Sequence, residues 1–290
     1  MSTIDVPAGA VLTPVGRATW SETLRLNLRA MVGRMYVRVV GSVREPSWIV
    51  SDSVLPTLGM CAYVLVYRGL GAPRSYEALA VLGGILSTYW INVLWSMGAQ
   101  LYWEKQQGQL QLYLASPCSM MSILTGMALG GILMTSVRAV LAVAVGFGVF
   151  HVQVQPFSPA QLLLVFVATR AALYTLGMTL ASVFLLYGRE AWHVCNALQE
   201  PVFFFSGLYF PIRALGPIAM VAAGLVPLGL GIDALRQVLL GPAAHGLLPV
   251  RTETAALAGL AVVFLVFSRW ALHSMERLAK HEGRLTLRWQ

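Results

Sequence analysis

Apolar residues in this chain gather into six long runs, at 48–68, 77–103, 119–150, 158–186, 191–212 and 254–275, separated by short polar or basic stretches. A run of about twenty apolar residues matches the hydrocarbon thickness of a bilayer at 1.5 Å per helical residue. Inside lipid the backbone must satisfy its own hydrogen bonds, and a helix does so within one segment. The pattern predicts six transmembrane helices, the third long enough to tilt or to project beyond the membrane. Another apolar stretch, 214–240, is interrupted by Pro217, Gly224, Pro227, Gly229 and Gly231. A straight span tolerates one such breaker, hardly five. The region 212–241 is therefore expected to form two short helices dipping into the outer leaflet, their free backbone groups satisfied by protein or water.

Residues 18–44 precede the first run. Trp20, Leu24, Leu28, Met31 and Met35 recur every three or four positions and so share one helical face, flanked by Arg25 and Arg29. This spacing predicts an amphipathic helix in the membrane interface, ended by Pro46. A helix docked on a partner protein uses the same pattern. The organisation that follows is a tail with an interfacial helix over 1–47, a transmembrane domain over 48–275 and a second tail over 276–290. No internal repeat or long linker divides it. Residues 1–19 lack the apolar core of a signal peptide, so the first span is expected to direct insertion.

Composition sharpens the class. Only 11% of the residues are charged and 57% are hydrophobic, whereas soluble domains carry roughly 25% charge. A net charge of +8 belongs to the ends of the chain and not to a patch with interleaved aromatics, which argues against nucleic-acid binding. Arg17, Arg25, Arg29, Arg34, Arg38 and Arg44 lie before the first span; Arg269, Arg277, Lys280, Arg284 and Arg288 lie at the end of the last or after it. Lys105 and Arg189 join them from two loops, against Arg68, Arg74, Arg213, Arg236 and Arg251 on the other side. By the positive-inside rule both termini are expected in the cytosol, which requires an even number of spans. Trp48, Trp103, Trp192 and Trp270 fall at the expected cytosolic ends, where aromatic anchors sit. Cys61, Cys118 and Cys195 are scattered, and no paired Cys/His spacing exists, so neither a disulfide framework nor a zinc site is expected.

Chemistry is sparse. No glycine is followed by lysine, so the chain has no phosphate-cradling loop of the P-loop type, and energy from ATP must arrive through a partner. The loop over 104–117 is longer than a turn needs, and Leu110 and Leu114, with Tyr113 beside them, form an apolar stripe on a short helix that looks built to touch something in the cytosol. Ser116 and Pro117 read as the start of the next helix. Arg138, Arg170 and Glu200 fall near mid-depth on the third, fourth and fifth spans. Isolated charges there cost at least about 2.5–3.5 kcal/mol, so Glu200 is expected to neutralise one arginine. An internal ion pair, contact with an anionic or zwitterionic head group and a proton relay all fit. Tyr89, Trp90 and Trp95, and Phe203, Phe204, Phe205, Tyr209 and Phe210, form aromatic clusters that packing or lipid contact explains.

Glu104, Lys105, Gly108, Leu110, Ser116 and Pro117 together resemble the coupling loop of ABC-2 type exporter membrane subunits. Gln106 and Gln111 stand where that family usually has acidic residues, and Gln109 where it often has Thr. A second resemblance runs from Ser206-Gly207-Leu208-Tyr209-Phe210-Pro211 through Pro217, Pro227-Leu228 and Asp233-Ala234-Leu235-Arg236. The resemblance implies an all-α fold of six spans, an N-terminal interfacial helix and a re-entrant pair between the last two spans. It implies a multi-pass subunit of a bacterial inner membrane, paired with a second permease subunit and with two copies of a separate ATPase that holds ATP and Mg. Glu104, Lys105, Gly108, Leu110, Tyr113 and Leu114 would contact that ATPase, and some of Phe203, Phe204, Phe205, Tyr209 and Phe210 would line a path for a drug, lipid or lipid-linked glycan. Two other classes stay open from the residues themselves: a proton-coupled carrier using Glu200 and the arginines, and a membrane enzyme acting on lipids.

Overall fold

A computed structural model describes residues 19–152, 154, 158–187, 190–212, 216–241 and 246–281. Arg17, Arg189, Arg213, Arg284 and Arg288 lie outside them. Every regular element among the described residues is a helix. α1 (Trp20–Arg44) opens the chain and α2 (Pro46–Gly69) follows, with Pro46 in its first turn. α3 (Arg74–Ile91) continues through a π-helical stretch, Asn92–Gly98, into α4 (Gln100–Gln106). α5 (Gln109–Ala115) is one short turn-like helix before α6 (Met120–Ala144), which ends in a second π-helical stretch, Val145–Val149. α7 (Pro159–Tyr187), α8 (Glu190–Phe205), α9 (Pro217–Leu225), α10 (Pro227–Leu240) and α11 (Val250–His281) complete the order.

Among the described residues, five helices are long and apolar enough to cross a membrane: Ile49–Gly69, Arg74–Gln106, Met120–Val149, Pro159–Leu185 and Val250–Leu278. The expected fifth span is shorter than its hydropathy indicated. α8 holds 16 residues and contains Pro201, which removes one helical hydrogen bond, and the regular helix stops at Phe205 where Gly207 takes φ +60°.

Side-chain pairs give the directions. α2 and α3 form an antiparallel hairpin, closed where Arg68 donates to Glu77 Oε2 from Nε at 2.9 Å and from Nη2 at 2.8 Å. Arg68 Nη2 also reaches the Phe150 carbonyl at 2.7 Å, joining the end of the third span to the same corner. α7 and α11 run parallel, with Thr179 donating to the Phe264 carbonyl at 3.0 Å and Ser182 lying 3.3 Å from Ser268. α8 opposes α3, from Cys195 beside the Leu94 carbonyl to Leu208 against Gly83, where the Leu208 backbone occupies the place of a Cβ. The central helix is Arg74–Gln106, packed by α2, α6, α7 and α10.

The helix predicted over 18–44 forms, with a capping box: the Glu22 N–H donates to Thr19 Oγ1, and the Thr19 N–H donates to Glu22 Oε2 at 2.8 Å. Its face is used differently from the expectation. Gly126 and Gly130 of α6 have no Cβ, which lets the backbone of α1 at Met31 and Met35 come into contact. Trp20, Leu24 and Leu28 of the same stripe remain exposed.

The broken apolar stretch forms two short helices, α9 and α10, with a proline in the first turn of each. The start of α10 is deep in the bundle. Leu230 packs with Ala172 of α7 and Leu257 of α11, and Gly231 lies against Thr169. Thr169 and Ala172 are roughly 15–20 Å along α7 from its start, by 1.5 Å per residue. α10 then returns to Leu240, which packs on Ala78 and Leu79 near the start of α3.

Candidate coupling site

At the end of the bundle that carries α5, two helices present polar residues four apart. Ser96, Gln100 and Glu104 follow one line on the central helix, and Arg34 and Arg38 follow one on α1. The lines meet. Arg34 forms an ion pair with Glu104, and Arg38 donates to Gln100 Oε1 and to Ser96 Oγ. Arg38 Nη2 also reaches the Ser96 carbonyl at 3.2 Å, an acceptor in the π-helical stretch. Widened turns of this kind free carbonyls from the regular ladder.

Glu104 is the centre. It is 3% exposed and takes, beside Arg34, the Gln100 Nε2 donor at 2.7 Å and the Tyr113 hydroxyl at 2.7 Å. The Tyr113 phenol is held well above its ordinary pKa, first by burial and then by the carboxylate it donates to. Arg34 also lies 5.1 Å from the centroid of the Tyr113 ring. Farther along α1, Asn27 Oδ1 accepts the Ser119 N–H at 2.8 Å. One carboxylate and three donors thus join α1, α4 and α5 into a single unit. Arg34, Arg38, Ser96 and Gln100 were not singled out in sequence; their four-residue spacing on two helices is the signal that carries them.

The expected ATPase-facing residues divide. Gly108 turns the chain in the left-handed region, φ +73°, and starts α5. Leu110, expected to face outward, is 1% exposed and sits in the main core, with Leu114 and Tyr113 packed against that core. This overturns the outward stripe: Leu110 and Leu114 fix α5 to the protein itself. Glu104 belongs to α4 and is buried, and Lys105 is half-buried next to it. The outward face of α5 consists of Gln111, Leu112 and Ala115, with Leu112 70% exposed. The start of α6 also differs. Ser116 closes α5, and Ser119 caps α6, its Oγ accepting the Ser122 N–H at 3.1 Å.

The membrane-depth charges pair otherwise than expected. Arg138 binds Asp52 of α2, Nη1 to Oδ2 2.7 Å. Arg170 donates to Ser136 Oγ at 3.1 Å and lies over the Phe166 ring at 4.0 Å. Glu200 is exposed on α8 and accepts from Gln199 Nε2 at 3.1 Å, so neither arginine is its partner among the described residues. Between these groups, the π-helical stretch meets α7 and α8: the Tyr174 hydroxyl donates to Asn92 Oδ1 at 2.9 Å, and Trp95 Nε1 donates to Gln199 Oε1 at 2.6 Å.

The α8 aromatics gather toward α2. Tyr209 stacks on Tyr63 at 3.8 Å between centroids, and its carbonyl accepts the Tyr67 hydroxyl at 2.7 Å. Phe204 meets Phe205 and Phe210 edge-on, and Phe204 and Phe205 are exposed. Phe203 is half-buried against the core. Behind them Arg236 of α10 is almost fully buried, donating to the carbonyls of Leu208 at 2.8 Å, Leu79 at 3.1 Å and Phe210 at 3.4 Å.

Among proteins of known family, residues 28–240 match the ABC-2 type transporter. No curated protein matches the chain. The match takes in the α1–α6 contact, the Glu104 unit, the α8 aromatics and the α9–α10 pair, well over half of the sequence. The chain belongs to the ABC-2 type transporter family, as a multi-pass membrane subunit.

Proposed function

We propose that this subunit moves an amphiphilic substrate (a drug, a lipid or a lipid-linked glycan) out of the cell, driven by a separate ATPase. Two copies of the subunit, or this one and a related permease, assemble with two ATPase chains that hold ATP and Mg. The observation that carries the reading is the packing of α5 against the rest of the protein. Glu104, Tyr113 and Leu110 hold it from behind, so a push on Gln111, Leu112 and Ala115 reaches α1 and the central helix through those contacts.

The topology read from Arg and Lys places α5 and both termini in the cytosol of a bacterial inner membrane. The contacts of α1 with Ser119 and of the C-terminal part of α11 with the α5 region support termini on one side. On this reading α8 and the segment after it make the sixth crossing, and α9 and α10 enter and leave the outer leaflet. The depth of Leu230 and Gly231 along α7 supports that entry. The α8 aromatics beside α2 then border the path.

Leu112→Asp is expected to leave insertion and folding intact, to remove co-purification of the P-loop partner and to abolish substrate-stimulated ATP hydrolysis. Leu110→Asp should instead destabilise α5 itself, since it buries a carboxylate in the core. Normal coupling in Leu112→Asp defeats the assignment of this face. Cysteine labelling near Ser2 or Gln290 from outside intact cells defeats the topology.

A further inference from the structure

Two hollows flank the first turn of α6. The larger, about 580 Å³, lies between α5, that turn and the C-terminal part of α11, against Leu114, Met120, Val266, Trp270 and His273. The smaller, about 280 Å³, lies between the same turn and α1, against Leu24, Leu28 and Met31. Ser119, Met121 and Arg269 line both, so the two hollows meet at these residues. Sites for drug-sized ligands span roughly 300–1,000 Å³ and combine apolar walls with a few polar groups. This groove has that make-up.

Its charge is one-sided. Arg269 is exposed and forms no ion pair among the described residues. Glu276 is the carboxylate in the described lining, at the edge of the larger hollow only. Arg25, Arg29 and Arg277 add exposed positive charge on the two flanking helices. The walls are apolar and adaptable, since Met31, Met120 and Met121 bring flexible thioethers. Trp270 lines the larger hollow and is 61% exposed, and such rings favour the level of lipid head groups. Of the α5 residues that line the groove, Leu114 is on the opposite side of α5 from the exposed Leu112.

We infer that this groove binds an anionic membrane phospholipid, its phosphate on Arg269 and its acyl chain along Met121 and Val266. The assignment needs only the membrane location of the chain and not the exporter reading. A lipid there touches α1, α5, α6 and α11 at once and stabilises the arrangement in which Glu104 joins the first two.

The test is native mass spectrometry of the full chain in detergent, with phosphatidylglycerol, phosphatidylcholine and inorganic phosphate as separate probes. Phosphatidylglycerol should be retained about tenfold more than phosphatidylcholine, the effect of one charge-assisted contact. Arg269→Gln should remove that preference. Met121→Trp, which fills the groove and keeps the charge, should lower retention of both lipids. Inorganic phosphate should neither bind detectably nor displace the lipid. Equal retention of the two lipids, an unchanged preference in Arg269→Gln, unchanged retention in Met121→Trp, or displacement by phosphate each overturns the inference. If Arg269→Gln fails to fold, the Met121→Trp result decides alone.

Discussion

The two ends of the bundle use inward-facing arginines in opposite ways. At the α5 end, Arg34 and Arg38 bind side chains, Glu104, Gln100 and Ser96, on another helix. At the α10 end, Arg236 binds main-chain carbonyls of Leu79, Leu208 and Phe210. Main-chain carbonyls are fixed in place, and those past a helix end, as at Leu208 and Phe210, have no intrahelical partner. Side-chain acceptors can turn, release and find new donors. The α10 end is thus pinned, whereas the α5 end is joined by contacts that can be remade. That is the arrangement a membrane subunit needs if motion enters at α5 and the far end must keep its shape.

The largest effect is expected from Arg236→Met. It keeps the volume but strands the Leu208 and Phe210 carbonyls, at a cost of about 3–5 kcal/mol. The thermal-unfolding midpoint in detergent should collapse, and Arg236→Lys should not restore it, because an ammonium lacks the planar fork that reaches several carbonyls. A wild-type midpoint would erase the difference between the ends.

Glu104→Gln comes next, at about 2–3 kcal/mol, since it leaves Arg34 without its counter-charge. The loss should spread: hydrogen exchange in α1 and α5 should rise together while α10 stays protected. A rise confined to α5 would mean that α1 is held by α6 alone.

Tyr113→Phe is expected to cost about 1 kcal/mol, the value of one hydrogen bond. In a double-mutant cycle with Glu104→Gln the two losses should fall short of their sum, because both weaken the same contact. Strict additivity would break the link between α4 and α5.

The smallest effect belongs to the start of α1. The Thr19 N–H and hydroxyl hold the Glu22 carboxyl below its ordinary value. A depressed carboxylate contributes above its unfolded pKa and loses that contribution as pH falls through the lowered folded value. Amide protection in the first turn of α1 should therefore drop below about pH 4, and Glu22→Gln should remove the pH dependence. Protection that does not change with pH in the wild-type chain contradicts this.

The helices were legible because a chain in lipid has few other options for its backbone, and the runs of apolar residues are long. α8 was overestimated because apolar residues continue past Phe205, whereas its regular helix ends there. The Ser116-Pro117 signal was three residues early, since the turn at 116–118 has its own geometry and Ser119 supplies the cap. Counting from span ends put Glu200 at the depth of Arg138, but depth says nothing about direction around a helix axis. Glu200 points away from the bundle, and the neighbour that reaches Arg138 is α2, with Asp52. Leu110 and Leu114 were correctly placed on one stripe of α5, yet a stripe does not say which side is covered.

The amino-acid pattern alone determines that this chain is an all-helical membrane protein, where its long helices run and that it carries no P-loop. Neighbour order and helix rotation are decided only by the tertiary structure. In water an apolar face marks the inside of a protein, but lipid tails are as apolar as leucine and remove that mark. The central helix, Arg74–Gln106, is 83% buried over its most apolar window, against 22% for both Ile49–Gly69 and Val250–Leu278, although all three qualify as spans by the same hydropathy. What sorts them is close packing at Gly83, Gly84 and Gly177 and the polar contacts of Asn92, Ser96 and Glu104, each of which needs a partner that only the folded bundle supplies.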